Sequence, residues 1–454
     1  MSAPVALPGE PAYDAATQVF NLAAPMRPVA AVTVRTVDDI RAALRHARER
    51  ALSVRVHTTG HASGSAGPMR SALLIRTALD GSVEVDVDRR LARIPAGTRW
   101  GAVVEATTPH GLVPPHGSAG TVGVVGYLLG GGISFYGRAI GLAANSVRAI
   151  ELVTADGELR RVAADRDPDL FRALRGGGGG FGVVTAIEVE LFAATTVVAG
   201  ATFWSATHAD ALLRAWQKWT LDAPREASTS LRILNLPDVP EVPPELRGGP
   251  VLGVDGVILS TVDGVPDDAA RHTEDLLGPL RSVARPVLDA WQVCAPGAVL
   301  DVHMDPSDPV PYLGDHLLLR ELGDVGAAEF VRVLGAGSGS PLVMAALRQL
   351  GGALSRPDPA GGVLNHLDAH YVYSGSAVPD GPVTPELITG HFATVRAALG
   401  PWDTGRTAPT FVESHEQPQG HLTAADIAAV DLVRARIDPT GLFRADISPN
   451  ATAT

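Results

Sequence analysis

Cysteine is almost missing from this chain: its 454 residues hold one, Cys294, which rules out an intramolecular disulfide and argues against a thiolate zinc cluster. Basic residues are also in deficit. Lys plus Arg number 37 against 49 Asp plus Glu, and the resulting net charge of −12 argues against a nucleic-acid partner or an anionic membrane surface. No apolar run reaches the length of a membrane span, since even Val122 to Ile133 is broken by glycines. The amino terminus Met1-Ser-Ala-Pro-Val lacks the basic and apolar regions of a signal peptide. These absences lead to the expectation of a cytoplasmic protein that does not engage membranes and has small molecules as partners. Oligomeric state is not legible.

What is present is a 46% hydrophobic content, enough at this length for a large core in two to three domains. Glycine-rich stretches stand out within it. Val54-Arg-Val-His-Thr-Thr-Gly-His-Ala-Ser63 joins a β-favouring run to a turn that brings backbone N–H groups close to a phosphate. Gly117-Ser-Ala-Gly-Thr-Val-Gly-Val-Val-Gly126 supplies a second such cradle, and together the two suit one long anionic cofactor, a dinucleotide. Around them the periodicities are clear. Thr36-Val-Asp-Asp39 forms a capping box ahead of Ile40, Ala43, Leu44 and Ala47 at helical spacing; Trp100, Val103, Val104 and Thr107 repeat the pattern. Ala-Asp-Gly157 between Ile150–Thr154 and Glu158–Val162 marks a hairpin.

Gly177-Gly-Gly-Gly-Phe-Gly182 matches G-x-G-x-x-G, the nicotinamide-dinucleotide fingerprint, but it follows a predicted helix at Pro168 to Arg175 and opens a predicted strand from Val183. A Rossmann turn requires the reverse order, so the stretch reads as a close-approach turn instead.

Taken together, the Gly-His loop, Gly120-Thr-Val-Gly-Val-Val-Gly126 with Leu-Gly-Gly-Gly132, Gly141-Leu-Ala-Ala-Asn-Ser-Val147, Asp169-Leu-Phe-Arg-Ala-Leu-Arg-Gly-Gly-Gly178 and the closing Ile437-Asp-Pro-Thr-Gly-Leu-Phe-Arg444 resemble the berberine-bridge-enzyme-like flavoproteins of the vanillyl-alcohol-oxidase (PCMH-type) superfamily. The resemblance implies an α+β fold. A two-subdomain PCMH-type FAD-binding domain would occupy residues 1–195, and a substrate domain with an antiparallel sheet covered by helices would occupy 196–409. A return segment, 410–454, would pack on the FAD domain.

It also implies the cofactor and its contacts. FAD would be cradled by His57, Thr58, Thr59, Gly60, His61 and Ala62, by Gly117, Ser118, Ala119, Thr121, Val122, Gly123 and Gly126, and by Gly182, Val183 and Val184. His61 stands where the family bonds a histidine ring to the flavin 8α-methyl group, and His57 where many members carry Arg. Doubly anchored relatives have a cysteine where this chain has Ala119, so one covalent anchor is expected. Val122 resembles the oxidase type, in which a small side chain lets O2 reach the flavin. The implied reaction is removal of a hydride from an alcohol, sugar or amine carbon of a small molecule, with O2 as acceptor and H2O2 as product. Candidate bases are Tyr371 and Tyr373, which alternation puts on one strand face, with Glu413 and His415 in the region that aligns with the family's Tyr-x-Asn-Tyr. The tyrosines usual in that region are missing, which leaves open a redox-neutral cyclase or a binding scaffold on the same fold.

Overall fold

Thr36 accepts a hydrogen bond from Asp39 N while the Asp39 side chain accepts one from the Thr36 backbone, and this box starts helix Val37–Glu49. The helix buries Ile40, Ala43, Leu44 and Ala47 against a three-stranded parallel sheet in the order Ala30–Val34, Ala72–Thr77, Ser53–His57. The computed structural model describes residues 3–240, 242–260, 266–417 and 419–445. A second, antiparallel sheet orders Glu84–Asp86, Leu91–Pro95, Val183–Glu190, Val147–Val153 and Leu159–Ala163, the last pair forming the expected hairpin. Helix Trp100–Thr107 packs on this sheet through Trp100 and Val103, and Thr107 is also buried. The glycine run at 177–182 indeed lies between helix Pro168–Leu174 and strand Val183–Glu190.

From Val197 onward the chain builds an eight-stranded sheet in which every pairing is antiparallel. Its path runs through Leu288–Asp289, Val197–Ser205, Val251–Leu259, Ala227–Leu234, Met344–Gln349, Tyr371–Ala377 and Leu313–Leu319, with Gln292–Cys294 beside Val197–Ser205 at the edge. Helices Ala209–Asp222, Pro266–Val283, Gly323–Leu334 and Pro385–Leu399 cover one face, where Trp216, Leu231, Leu277, Phe330, Leu347 and Val395 share a core. The opposite face looks toward the glycine-rich segments. The architecture is therefore α+β, with two smaller sheets on one side and a helix-backed antiparallel sheet on the other.

The carboxyl-terminal segment returns to the first half. Helix Ala424–Ile437, capped by Thr423, sets Val430, Val433 and Ile437 into the core of the five-stranded sheet. Leu442 and Phe443 then run beside Val54, with Val54 N donating to Leu442 O at 2.7 Å. Among the described residues no helix is long and apolar enough to cross a membrane.

One buried side chain ties the halves together. Arg138 donates to Ala227 O at 2.7 Å, Ala223 O at 2.9 Å and Pro224 O at 3.4 Å, and also to Leu350 O, so a guanidinium from the glycine-rich half meets four carbonyls of the large sheet and the segments beside it. Burial pulls it down to about 10, below the usual arginine range. Each carbonyl left unpaired in such a place costs about 1–3 kcal/mol. Arg138→Met is expected to lower stability by about 3 kcal/mol or more, read as a reduced urea midpoint.

Candidate functional site

Between the pocket face of the large sheet and the three glycine-rich segments lies a cavity of about 720 Å³. One wall is the end of strand Ser53–His57 and its loop: His57, Thr58, Thr59, Gly60, His61 and Ala62 all line it. Gly60 takes φ +71°, and a Cβ there would stand 2.6 Å from Val19, so no other residue shapes this turn without displacing the amino-terminal segment. A second wall comes from Gly117, Ser118, Ala119, Val122, Gly123 and Gly126, and a third from Gly178, Gly179, Gly180, Gly182 and Val184. At Gly126 and Gly179 an added Cβ would meet no protein atom within 4 Å, so the space beside both backbones is open.

Two of the expected cradle residues do not reach the cavity. Val183 points the other way, into the core with Val153 and Phe443, because neighbouring residues on a strand face opposite sides and Val184 holds the cavity side. Thr121 lies just outside the lining; its Oγ1 is buried with no partner, and its backbone hydrogen-bonds His61. Tyr371 and Tyr373 are corrected outright as candidate bases. They share a face, as alternation requires, but it is the helix-covered one: the Tyr371 hydroxyl bonds Thr220 Oγ1 at 2.7 Å, and the Tyr373 ring packs edge-on to Phe330. His415 is also withdrawn, since its exposed side chain is held outside by a backbone bond from its N to Gly64 O.

Glu413 is the candidate base that the cavity does contain. Burial raises its carboxyl to about 8, although a hydrogen bond with Tyr312 pulls the other way. Its Oε2 has no partner. The Tyr312 hydroxyl also lies 3.0 Å from His61 O, so Glu413, Tyr312 and the His61 loop form one connected group. The His61 ring stacks on Phe20, centroids 3.8 Å apart and planes 14° off parallel, and its Nε2 is unpartnered. Burial depresses His61 to about 4, so the imidazole is neutral at pH 7.

The sequence reading missed the charged residues on the sheet's cavity face. Arg232 lies against Asp255 as an ion pair, His303 Nδ1 sits 3.3 Å from the same carboxylate, and Arg232 Nη1 donates to His303 O at 2.8 Å. Burial pushes Asp255 up, but Arg232 and then His303 hold it below the usual carboxylate range. Arg348 stands over the rings of Phe135 and Phe411. The available signal was a lone charge inside an otherwise apolar strand, as in Leu231-Arg-Ile-Leu234 and Val251-Leu-Gly-Val-Asp-Gly-Val257. Tyr312, in a proline-rich loop, gave none.

These residues fit FAD. Three glycine-bearing segments let backbone approach a long ligand, and His57 Nδ1 and His61 Nε2 are buried polar atoms, on residues that line this space, lacking protein partners. Segments 57–62, 117–126 and 178–184 would hold it. Comparison with known proteins agrees: residues 28–163 match the FAD binding domain family. The chain is 32% identical over 227 residues to glucooligosaccharide oxidase of Sarocladium strictum, covering 49% of this chain and 46% of that protein. It is also 30% identical over 188 residues to (R)-6-hydroxynicotine oxidase of Paenarthrobacter nicotinovorans, covering 41% of each. The chain thus spans about half the length of the curated relatives it matches. The solved structure of Physcomitrella patens BBE-like 1 superposes with a TM-score of 0.83 over 99% of this chain and 98% of that one, at 19% identity.

Proposed function

We propose that this chain, which has the berberine-bridge-enzyme-like, PCMH-type fold and carries an FAD binding domain at residues 28–163, is an FAD-linked oxidase of a small-molecule alcohol, sugar or amine. The observation that carries the reading is the Glu413 carboxyl, desolvated inside the cavity with Oε2 unpartnered and linked through Tyr312 to the His61 loop. Bound FAD supplies a two-electron acceptor, which O2 regenerates with formation of H2O2.

The chain's own residues do the rest. Glu413 Oε2 takes the proton from the substrate hydroxyl or amine, and burial raises its basicity for that task. Tyr312 orients the carboxyl. Phe20, Met26, Leu234, Leu236 and Met344 exclude water from the same space. His61, neutral and fixed by stacking on Phe20, is the covalent anchor. A single anchor is supported by Ala119, a residue without a thiol on the cavity wall, and by Cys294, which lies in an edge strand outside the cavity.

The test is anaerobic mixing of the purified protein with a panel of alcohols, sugars and amines. One class should bleach the flavin, and admitting O2 should restore the colour with one H2O2 per turnover; a flavin that no class bleaches would count against the oxidase reading. Val122 lines the cavity, and Val122→Ile is expected to slow reoxidation by O2 much more than reduction by substrate in stopped-flow traces.

A further inference from the structure

The cavity face of the large sheet is rich in hydrogen-bond donors and has few acceptors to match them. Register places Ser230 opposite both Arg348 and Asp255, and Arg232 opposite Ala346, so the side chains of Ser230, Arg232, Asp255 and Arg348 project from one face of three adjacent strands. Asp255 is the acceptor in this group, and it is taken up by Arg232 Nε and His303 Nδ1.

Two donors remain. Arg232 is 3% exposed and lines the cavity, yet its Nη2 has no partner. The Arg348 guanidinium also lines the cavity, and among the described residues no carboxylate lies within ion-pair distance of it; its close neighbours are the rings of Phe135 and Phe411. Asp255 first, and then Asp305, act on it only through their fields. A half-buried guanidinium with no carboxylate in contact is a site for an anion, and the best match is an acceptor-only, planar anion that takes two N–H groups at once. The Ser230 hydroxyl adds a third donor from the facing strand.

We propose that this wall is a carboxylate receptor, in which Arg348, Ser230 and the free Nη2 of Arg232 bind an acid group on the substrate. The inference rests on the oxidase reading for its substrate but narrows it: the molecule oxidised carries a carboxylate as well as the oxidisable carbon. The two ends have separate stations. The acid lies on the sheet side at Arg348, and the reacting hydroxyl or amine at Glu413 beside the His61 loop.

A binding experiment on the flavin-loaded protein tests this without turnover. Benzoate and its neutral isostere benzamide are titrated while the flavin absorbance spectrum is followed. Wild type should bind benzoate about tenfold more tightly or better, Arg348→Met should lose that preference, and Arg348→Lys should keep part of it. Equal affinity for the two probes in wild type would overturn the proposal, and this arm stands even if Arg348→Met does not fold. A preference that survives in folded Arg348→Met would also overturn it. So would an unchanged preference accompanied by a lowered flavin potential in that variant, which would put Arg348 against the cofactor. Because no turnover is read, benzoate selectivity in a protein that oxidises nothing would keep the receptor and remove only the oxidase.

Discussion

Acid precipitation of the wild-type protein should leave a yellow pellet, and His61→Ala should leave a white one with all of its flavin in the supernatant. The expectation starts from protonation. A histidine on the surface is partly cationic near neutrality, and a cationic ring has no lone pair with which to attack carbon. Burial of His61 pushes its titration to about 4, so nearly every molecule is neutral at pH 7. The second element is position. Stacking on Phe20 at 3.8 Å holds the ring in one orientation, and its loop lines the cavity, so a bound flavin that had lost a proton from its 8α-methyl group would meet a neutral ring nitrogen at high effective concentration, the electron pair passing into the flavin and then to O2. The absence of any histidine-linked flavin peptide from a proteolytic digest of the wild type would remove the covalent assignment, whereas FAD binding would still rest on the glycine segments. The variant should retain non-covalent flavin, since those segments are intact.

The second large effect is expected at Glu413. Replacement by Gln keeps the shape and removes the proton acceptor, and loss of a positioned general base lowers the rate of flavin reduction by about 10²- to 10⁴-fold. Flavin content should not change. The sign of the pH dependence follows from the carboxyl's environment: burial disfavours the charged form, so Glu413 is protonated below about 8 and ionised above it, and as the proposed base it would act only in the ionised form. In wild type kcat/KM should rise with pH along a limb centred near 8, and in Glu413→Gln that limb should be absent. Tyr312 refines the test. Its hydrogen bond favours the carboxylate, so Tyr312→Phe should move the limb to higher pH. A limb that persists unshifted in both variants would assign the base elsewhere.

Much of the cofactor half was legible in the chain because its information is local. The Gly-His loop, the capping box at Thr36 and the order of helix, glycine turn and strand around 177–182 are properties of short stretches, where backbone freedom and side-chain period leave few alternatives. A helix that the sequence reading did not anticipate, Pro11–Thr17, lies in the mixed, proline-containing amino-terminal stretch. Alternation likewise put Tyr371 and Tyr373 on one face. It had no means of choosing the face, and helices Ala209–Asp222 and Gly323–Leu334, more than 35 residues away in the chain, decided it by covering the side with the tyrosines. The charged face of the large sheet is non-local in the same way. Arg232, Asp255 and Arg348 become neighbours through strand register, and a one-residue slip in any of these pairings would turn that strand's charge into the helix-covered core. Sequence fixed the chemistry available to each segment; which side chains share the cavity was settled by sheet pairing, because a strand's period says that residues alternate and only its partners say which alternate set is buried.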